Sequence, residues 1–255
     1  MTRHIRATNK PNVVVQDIDK QYLLCHTCEE LFSAKERWFA KNIFHPYLDK
    51  KQSLFMYDKN LTYFIVSLSW RSLYSKLAKF STDPQFSQEK LLILFQAEQV
   101  MREYLLGKRS NIGNVENHIF FLDRVQSSEN IDISLHPNVA MHRTLLSYTT
   151  YNGKTIFTVS NLMGIMIVTF YCMDPREKWI RTKVANDSGF IEAKNQHVES
   201  VIGNEIECWM RRVATSNNDM SETQRQKILE RVFGIGERIK NYPIFQDWND
   251  DDSLR

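Results

Sequence analysis

Cys25 and Cys28 stand two residues apart, and the carboxylate of Glu29 follows the second thiol directly. Two cysteines at that spacing make one zinc knuckle. A structural zinc site takes four ligands in a tetrahedron, commonly as two knuckles of two. The other cysteines, Cys172 and Cys208, lie far along the chain in apolar segments without paired spacing, and read as small buried side chains. His26 lies between the two thiols, and His4 and His45 lie within reach in sequence. None of these histidines forms a pair with the spacing of a zinc finger. The sequence therefore offers half of a zinc site with an oxygen-bearing side chain beside it. A structural reading stands next to this one: two buried thiols at a strand-to-helix turn, with Glu29 as a first-turn acid favoured by the helix dipole.

Two further groups carry candidate chemistry. Trp70 and Arg71 are adjacent, one a stacking face and the other a phosphate-binding fork, so together they are candidates for nucleic-acid contact. The structural alternative packs Trp70 on a neighbouring helix with Arg71 in a local ion pair. Arg211, Arg212, Arg225, Lys227, Arg231 and Arg238 form a basic run near the end of the chain. Glu222, Glu230 and Glu237 interleave with it, which reads as a solvated face. His136 and His142, six residues apart, do not have metal-site spacing.

These residues need elements to hold them. Thr27-x-x-Glu30 has the form of a capping box, so a helix is expected from Cys28 to about Phe44, ended by His45-Pro46. A helix from about Asn60 to Phe80 presents Leu61, Phe64, Ile65, Leu68, Leu73 and Leu77, and a third opens at Ser87 and stops at Gly107. The middle of the chain turns to strands at 118–122, on both sides of Asn152-Gly153, at 164–172 and through Trp179. Two helices close the chain, the second opened by Ser221-x-x-Gln224. A short hairpin or loop pair of Val13–Val15 and Gln21–Leu24 around "QDIDK", then helices, sheet and helices in that order, give an α+β fold.

The opening segment resembles the HNH, or His-Me finger, endonuclease motif: a strand ending in His4-Ile5, a loop, then Leu24-Cys25-x-x-Cys28 running into a helix. The resemblance is closer to a group of bacterial HNH-like proteins. "LLCHTCE" at 23–29, "ERWFAKNIF" at 36–44, "SLSWR" at 67–71, "EYLLG" at 103–107 and "NHIFFL" at 117–122 follow that group's layout. This resemblance implies a degenerate treble clef over residues 1–57, in which Cys25 and Cys28 hold structural Zn²⁺. It implies that His4 is the general base for water, and that Glu29 ligates a catalytic Mg²⁺ or Mn²⁺. Two departures stand out. Lys20 occupies the place of the family's middle Asn, and the first Cys-x-x-Cys of the pattern is absent, with Met1 three residues before His4.

The function implied is a metal-dependent nuclease, or a nucleic-acid-binding protein derived from one, acting on DNA or RNA. A role in bacterial defence against phage or mobile DNA follows from the family association. The alternative is a non-catalytic regulatory subunit, with a protein partner or a second copy, whose knuckle only shapes the fold. Net charge is +3 over 255 residues, a weak lean toward anionic partners. Apolar content of 42% supports a sizeable core. The apolar runs are too short to span a membrane, and no secretory leader is read at the start, so a cytoplasmic location is expected. Residues 58–242 are expected to form an α+β domain, and 243–255 an acidic disordered tail.

Overall fold

The computed structural model describes residues 6–13, 23–122 and 132–254, and divides the chain into two compact units. The larger, 23–122 with 145–201, contains α1 (His26–Phe39), α2 (His45–Leu48), β1 (Leu54–Tyr57), α3 (Lys59–Thr82), α4 (Gln88–Leu105) and β2 (Glu116–Phe121). It also contains β3 (Leu145–Asn152), β4 (Thr155–Leu162), β5 (Ile165–Cys172), β6 (Lys178–Ile180), β7 (Gly189–Glu192) and β8 (His197–Glu199). The smaller unit holds α5 (Pro137–Arg143), α6 (Ile202–Asn218), α7 (Glu222–Ile235) and α8 (Pro243–Ser253). The architecture is α+β, as the order of elements in the sequence leads one to expect. The expected boundary at residue 57 is not where the units divide, because α1 packs on α3 inside the larger one.

The larger unit is built on an antiparallel sheet in the order β2-β5-β4-β3. Its two hairpins are set by left-handed residues: Gly153 at φ 59° between β3 and β4, and Met163 at φ 55° with Gly164 at φ 92° between β4 and β5. The first turn is centred on Gly153-Lys154, with Asn152 already paired to Thr155. One sheet face packs on α3. Along this face a row of polar side chains crosses all four strands at paired positions, Asn117, Thr169, Thr158 and Thr149. The hydroxyls satisfy one another. Thr169 donates to Asn117 at 2.8 Å, Ser69 of α3 bonds Thr169 at 2.7 Å, and Thr158 bonds both Thr149 and Tyr171 at 2.6 Å. Such a row is tolerated in a core because the cost of burying each hydroxyl is met by a partner.

The helix expected to stop at His45-Pro46 continues through that point. Residues Ala40–Phe44 form a π-helical turn, and α2 then begins with Pro46 in its first turn. Proline lacks an N–H and clashes with the preceding turn, and a π-bulge accommodates both effects without ending the helix. Ile43 in this turn is fully buried with Phe39, Phe64 and Ile65.

In the smaller unit α5 packs on α6 and α8. Residues 243–255 were expected to be a disordered acidic tail; instead α8 is a helix whose Asp247 and Asp251 are buried. Asp251 accepts from the backbone N–H groups of Asn138 and Val139 at 2.9 and 3.0 Å, and from the Asn138 side chain at 2.9 Å. Asp247 accepts from Arg143 at 2.6 Å and bonds His142 at 3.1 Å. The two acids lie four apart on one helix face, and α5 supplies the donors that make their burial favourable. Among the described residues, no helix is long and apolar enough to cross a membrane.

Candidate functional site at the start of α1

α1 begins two residues earlier than the Thr27 capping box suggests. Cys25 is the N-cap, with extended backbone at φ −76° and ψ 162°, and its carbonyl accepts from the Glu29 N–H at 3.0 Å. Cys28 is therefore the third helical residue and Glu29 the fourth. Residues three and four apart share a helix face, so the two thiols and the carboxylate lie on one side of the first turn. Cys25 and Glu29 are exposed and Cys28 is half-buried, so the alternative of two buried thiols is not what the fold builds. The Glu29 side chain makes no hydrogen bond or ion pair with any described residue, whereas its neighbour Glu30 pairs with His26 at 3.5 Å.

The two thiols are inequivalent. The Cys28 backbone N–H and the Cys28 thiol, with the Thr27 N–H, draw the Cys25 thiol below the ordinary cysteine pKa. Cys25 makes no regular capping hydrogen bond, so this is a local electrostatic effect of the open amides at the helix start. Cys28 moves the other way: its hydrogen bond with Cys25, then burial, then the neighbouring sulfur's charge all push it up. Behind it lies Tyr63 of α3, whose hydroxyl donates to the Leu105 carbonyl at 3.0 Å. Burial first, and the Cys28 and Tyr104 charges second, push that phenol up to about 12.

The donor set fits half of a zinc site. An exposed thiol that ionises readily beside a second thiol is what soft-metal binding requires, and the Glu29 oxygen suits a harder cation. Among the described residues no three His, Cys, Asp or Glu side chains form a metal-binding group. His4 and Lys20 lie outside the described residues.

Trp70 and Arg71 are spent in packing. Trp70 is 7% exposed, stacks on Tyr74 at 5.0 Å, and donates from Nε1 to Glu98 Oε1 at 2.9 Å. Arg71 donates to Glu36 of α1 at 2.7 Å and to the Ser67 carbonyl at 3.2 Å, and its guanidinium lies 5.5 Å from the Phe32 ring centre. The expected stacking face is thus inside the core and the expected phosphate fork ties α3 to α1. Sequence reasoning also passed over an open groove of about 710 Å³ in the smaller unit, along the Asn204, Glu207, Arg211 and Thr215 face of α6 with Thr8 and Asn9 beside it. The i, i+3/i+4 recurrence of polar residues along α6 was the signal for it. Glu207 already neutralises Arg211 there, at 2.6 Å.

The fold and the site thus define an α+β protein with an exposed dithiol and acid at a helix start. Comparison with protein-family models, with curated proteins and with solved structures found no match to this chain.

Proposed function

We propose that this chain is an HNH-like, metal-dependent nuclease acting on DNA or RNA in the cytoplasm, with Cys25 and Cys28 as zinc ligands. The observation that carries the reading is the shared face of the first turn of α1, where an exposed and a half-buried thiol stand with the Glu29 carboxylate, which pairs with no described residue. Cys25 and Cys28 would hold a structural zinc, and a divalent cation held by Glu29 would supply charge stabilisation at a scissile phosphate. In this reading Glu29 holds the oxygen-liganded ion, and His4 takes the proton from the attacking water as the phosphodiester bond breaks.

The test is cleavage of supercoiled DNA and of end-labelled RNA by the purified protein with Mg²⁺ or Mn²⁺, beside metal analysis. Activity that disappears in His4→Ala and in Glu29→Gln is expected, with about one zinc per chain that is lost in the Cys25→Ser, Cys28→Ser variant. Protein without zinc and without cleavage under either cation overturns the reading. A non-catalytic interaction subunit is the second reading, favoured by a separate observation: α7 buries no residue and leaves Leu229 and Phe233 exposed.

A further inference from the structure

We propose that Cys25 and Cys28 form a thiol–disulfide exchange site whose substrate class is a small-molecule disulfide such as oxidised glutathione, with Cys25 as attacking sulfur and Cys28 as resolving sulfur. This goes beyond the metal reading and competes with it, because both demand the same two sulfurs.

Three structural features carry the proposal. All four cysteines are free, and these two alone are near neighbours in sequence. Cys25 is the N-cap and Cys28 the third residue of α1, so the two side chains leave the same terminal turn. Helix neighbours at i, i+3 have Cβ atoms about 5–6 Å apart, and a disulfide takes Cβ atoms about 3.5–4.5 Å apart, a closing of about 1–2 Å. A small adjustment of a terminal turn therefore brings the sulfurs into bonding geometry. The third feature is the difference in access. Cys25 is exposed at the N-cap, and Cys28 is half-buried against α3. A soluble disulfide meets Cys25 first, and the adduct so formed lies within reach of Cys28.

The step balances as an exchange. The Cys25 thiolate attacks one sulfur of glutathione disulfide, and the electron pair of the S–S bond leaves with the first glutathione as its thiolate. Cys28 gives its proton to solvent and attacks Cys25 Sγ, and the second glutathione leaves as a thiolate. Two protein thiols are oxidised to one disulfide, and one glutathione disulfide is reduced to two thiols.

The experiment uses the full chain, reduced, stripped with a chelator, and equilibrated in a series of glutathione buffers from reducing to oxidising. After acid quenching and alkylation, the intact mass and the tryptic peptide Gln21–Lys35, which contains both cysteines, are read by mass spectrometry. The expected result is a peptide two hydrogens lighter and protected from alkylation in the oxidising buffers, while Cys172 and Cys208 remain alkylated. Cys28→Ser is expected to accumulate a glutathione adduct on Cys25, and Cys25→Ser to form neither adduct nor disulfide at a comparable rate. Alkylation of both thiols in every buffer overturns the proposal. So does a Cys28→Ser variant that gains no adduct at Cys25.

A parallel series with added zinc separates the two readings. Suppression of the disulfide by stoichiometric zinc supports both. Equal disulfide formation with and without zinc sustains the exchange site and removes the zinc ligands. Zinc binding by a dithiol that no buffer oxidises does the reverse.

Discussion

The segments Cys25–Glu29 and Ser67–Arg71 both belong to the same family resemblance, and they meet opposite fates in the larger unit. The first lies at a helix start with the Cys25 thiol and the Glu29 carboxylate exposed and Cys28 half-buried. The second lies in mid-helix, where Ser69 completes a buried hydroxyl row, Trp70 fills core and Arg71 bridges to α1. A string of residues on which a resemblance rests can thus record packing as readily as chemistry, and burial with satisfied partners tells which. Exposed chemistry-capable groups stand at Cys25 and Glu29 and not at Trp70.

The largest effect that tests this contrast is on stability. Trp70→Ala removes a buried indole and takes one donor from Glu98, which keeps the other, Arg102 at 3.0 Å. The expected loss is about 3–5 kcal/mol, read as a fall in the urea midpoint at unchanged slope. The Cys25→Ser, Cys28→Ser variant, compared in chelator, is expected to stay within about 0.5 kcal/mol of the parent, because its sites are open. Equal losses in the two variants would erase the distinction between the segments.

A second effect concerns the smaller unit. Asp251→Ala leaves the N–H groups of Asn138 and Val139 without their carboxylate, and hydrogen bonds to charged groups contribute about 1.5–3 kcal/mol each. The expected outcome is release of α8, seen as rapid proteolysis near residue 243 in a protein otherwise intact. Acid should loosen the neighbouring contact of Asp247 with His142 and Arg143 of α5. Burial raises the Asp247 pKa, but the His142 hydrogen bond and the His142 and Arg143 charges outweigh it, so the folded value lies below that of a free aspartate. A depressed carboxylate contributes stability above its unfolded pKa and loses it as pH falls through the folded one. Cleavage near 243 should therefore accelerate only at pH below the ordinary aspartate value. Acceleration that begins between pH 6 and 7 would point to another group.

These two regions also mark how far the sequence could be read. α3 was expected over 60–80 and spans 59–82, because its apolar period is strong and Asp58 caps it, accepting from the Asn60 N–H at 2.8 Å. The Ser87 and Ser221 caps were legible for the same reason, since each cap acts on a donor three residues away. α8 was not legible. Its acids look like a solvated tail until α5 supplies donors from more than a hundred residues earlier in the chain, and Pro243 stands at the start of the helix. The short strands β1 and β7 escaped because each is four residues long and is defined by its partner across the ribbon. At the candidate site the residue types were legible from spacing, but their exposure was not. Whether Trp70 faces solvent depends on Glu98 and Tyr74, and no local pattern announces that.

The smallest effect bears most directly on what the SLSWR segment is for. Arg71 and Glu36 are each about a third or more exposed, at 31% and 42% of their side chains, so solvent screens their pairing. A double-mutant cycle with Arg71→Ala and Glu36→Ala should give a coupling of no more than about 1 kcal/mol. The same Arg71→Ala protein should bind a labelled oligonucleotide with unchanged affinity and unchanged salt dependence. A guanidinium that contacted phosphate would lower the salt slope by about one on removal. A flattened slope would move Arg71 from packing to recognition and give the segment a chemical role beside its structural one. An unchanged slope with a small coupling leaves the start of α1 as the segment of this resemblance where accessible chemistry remains.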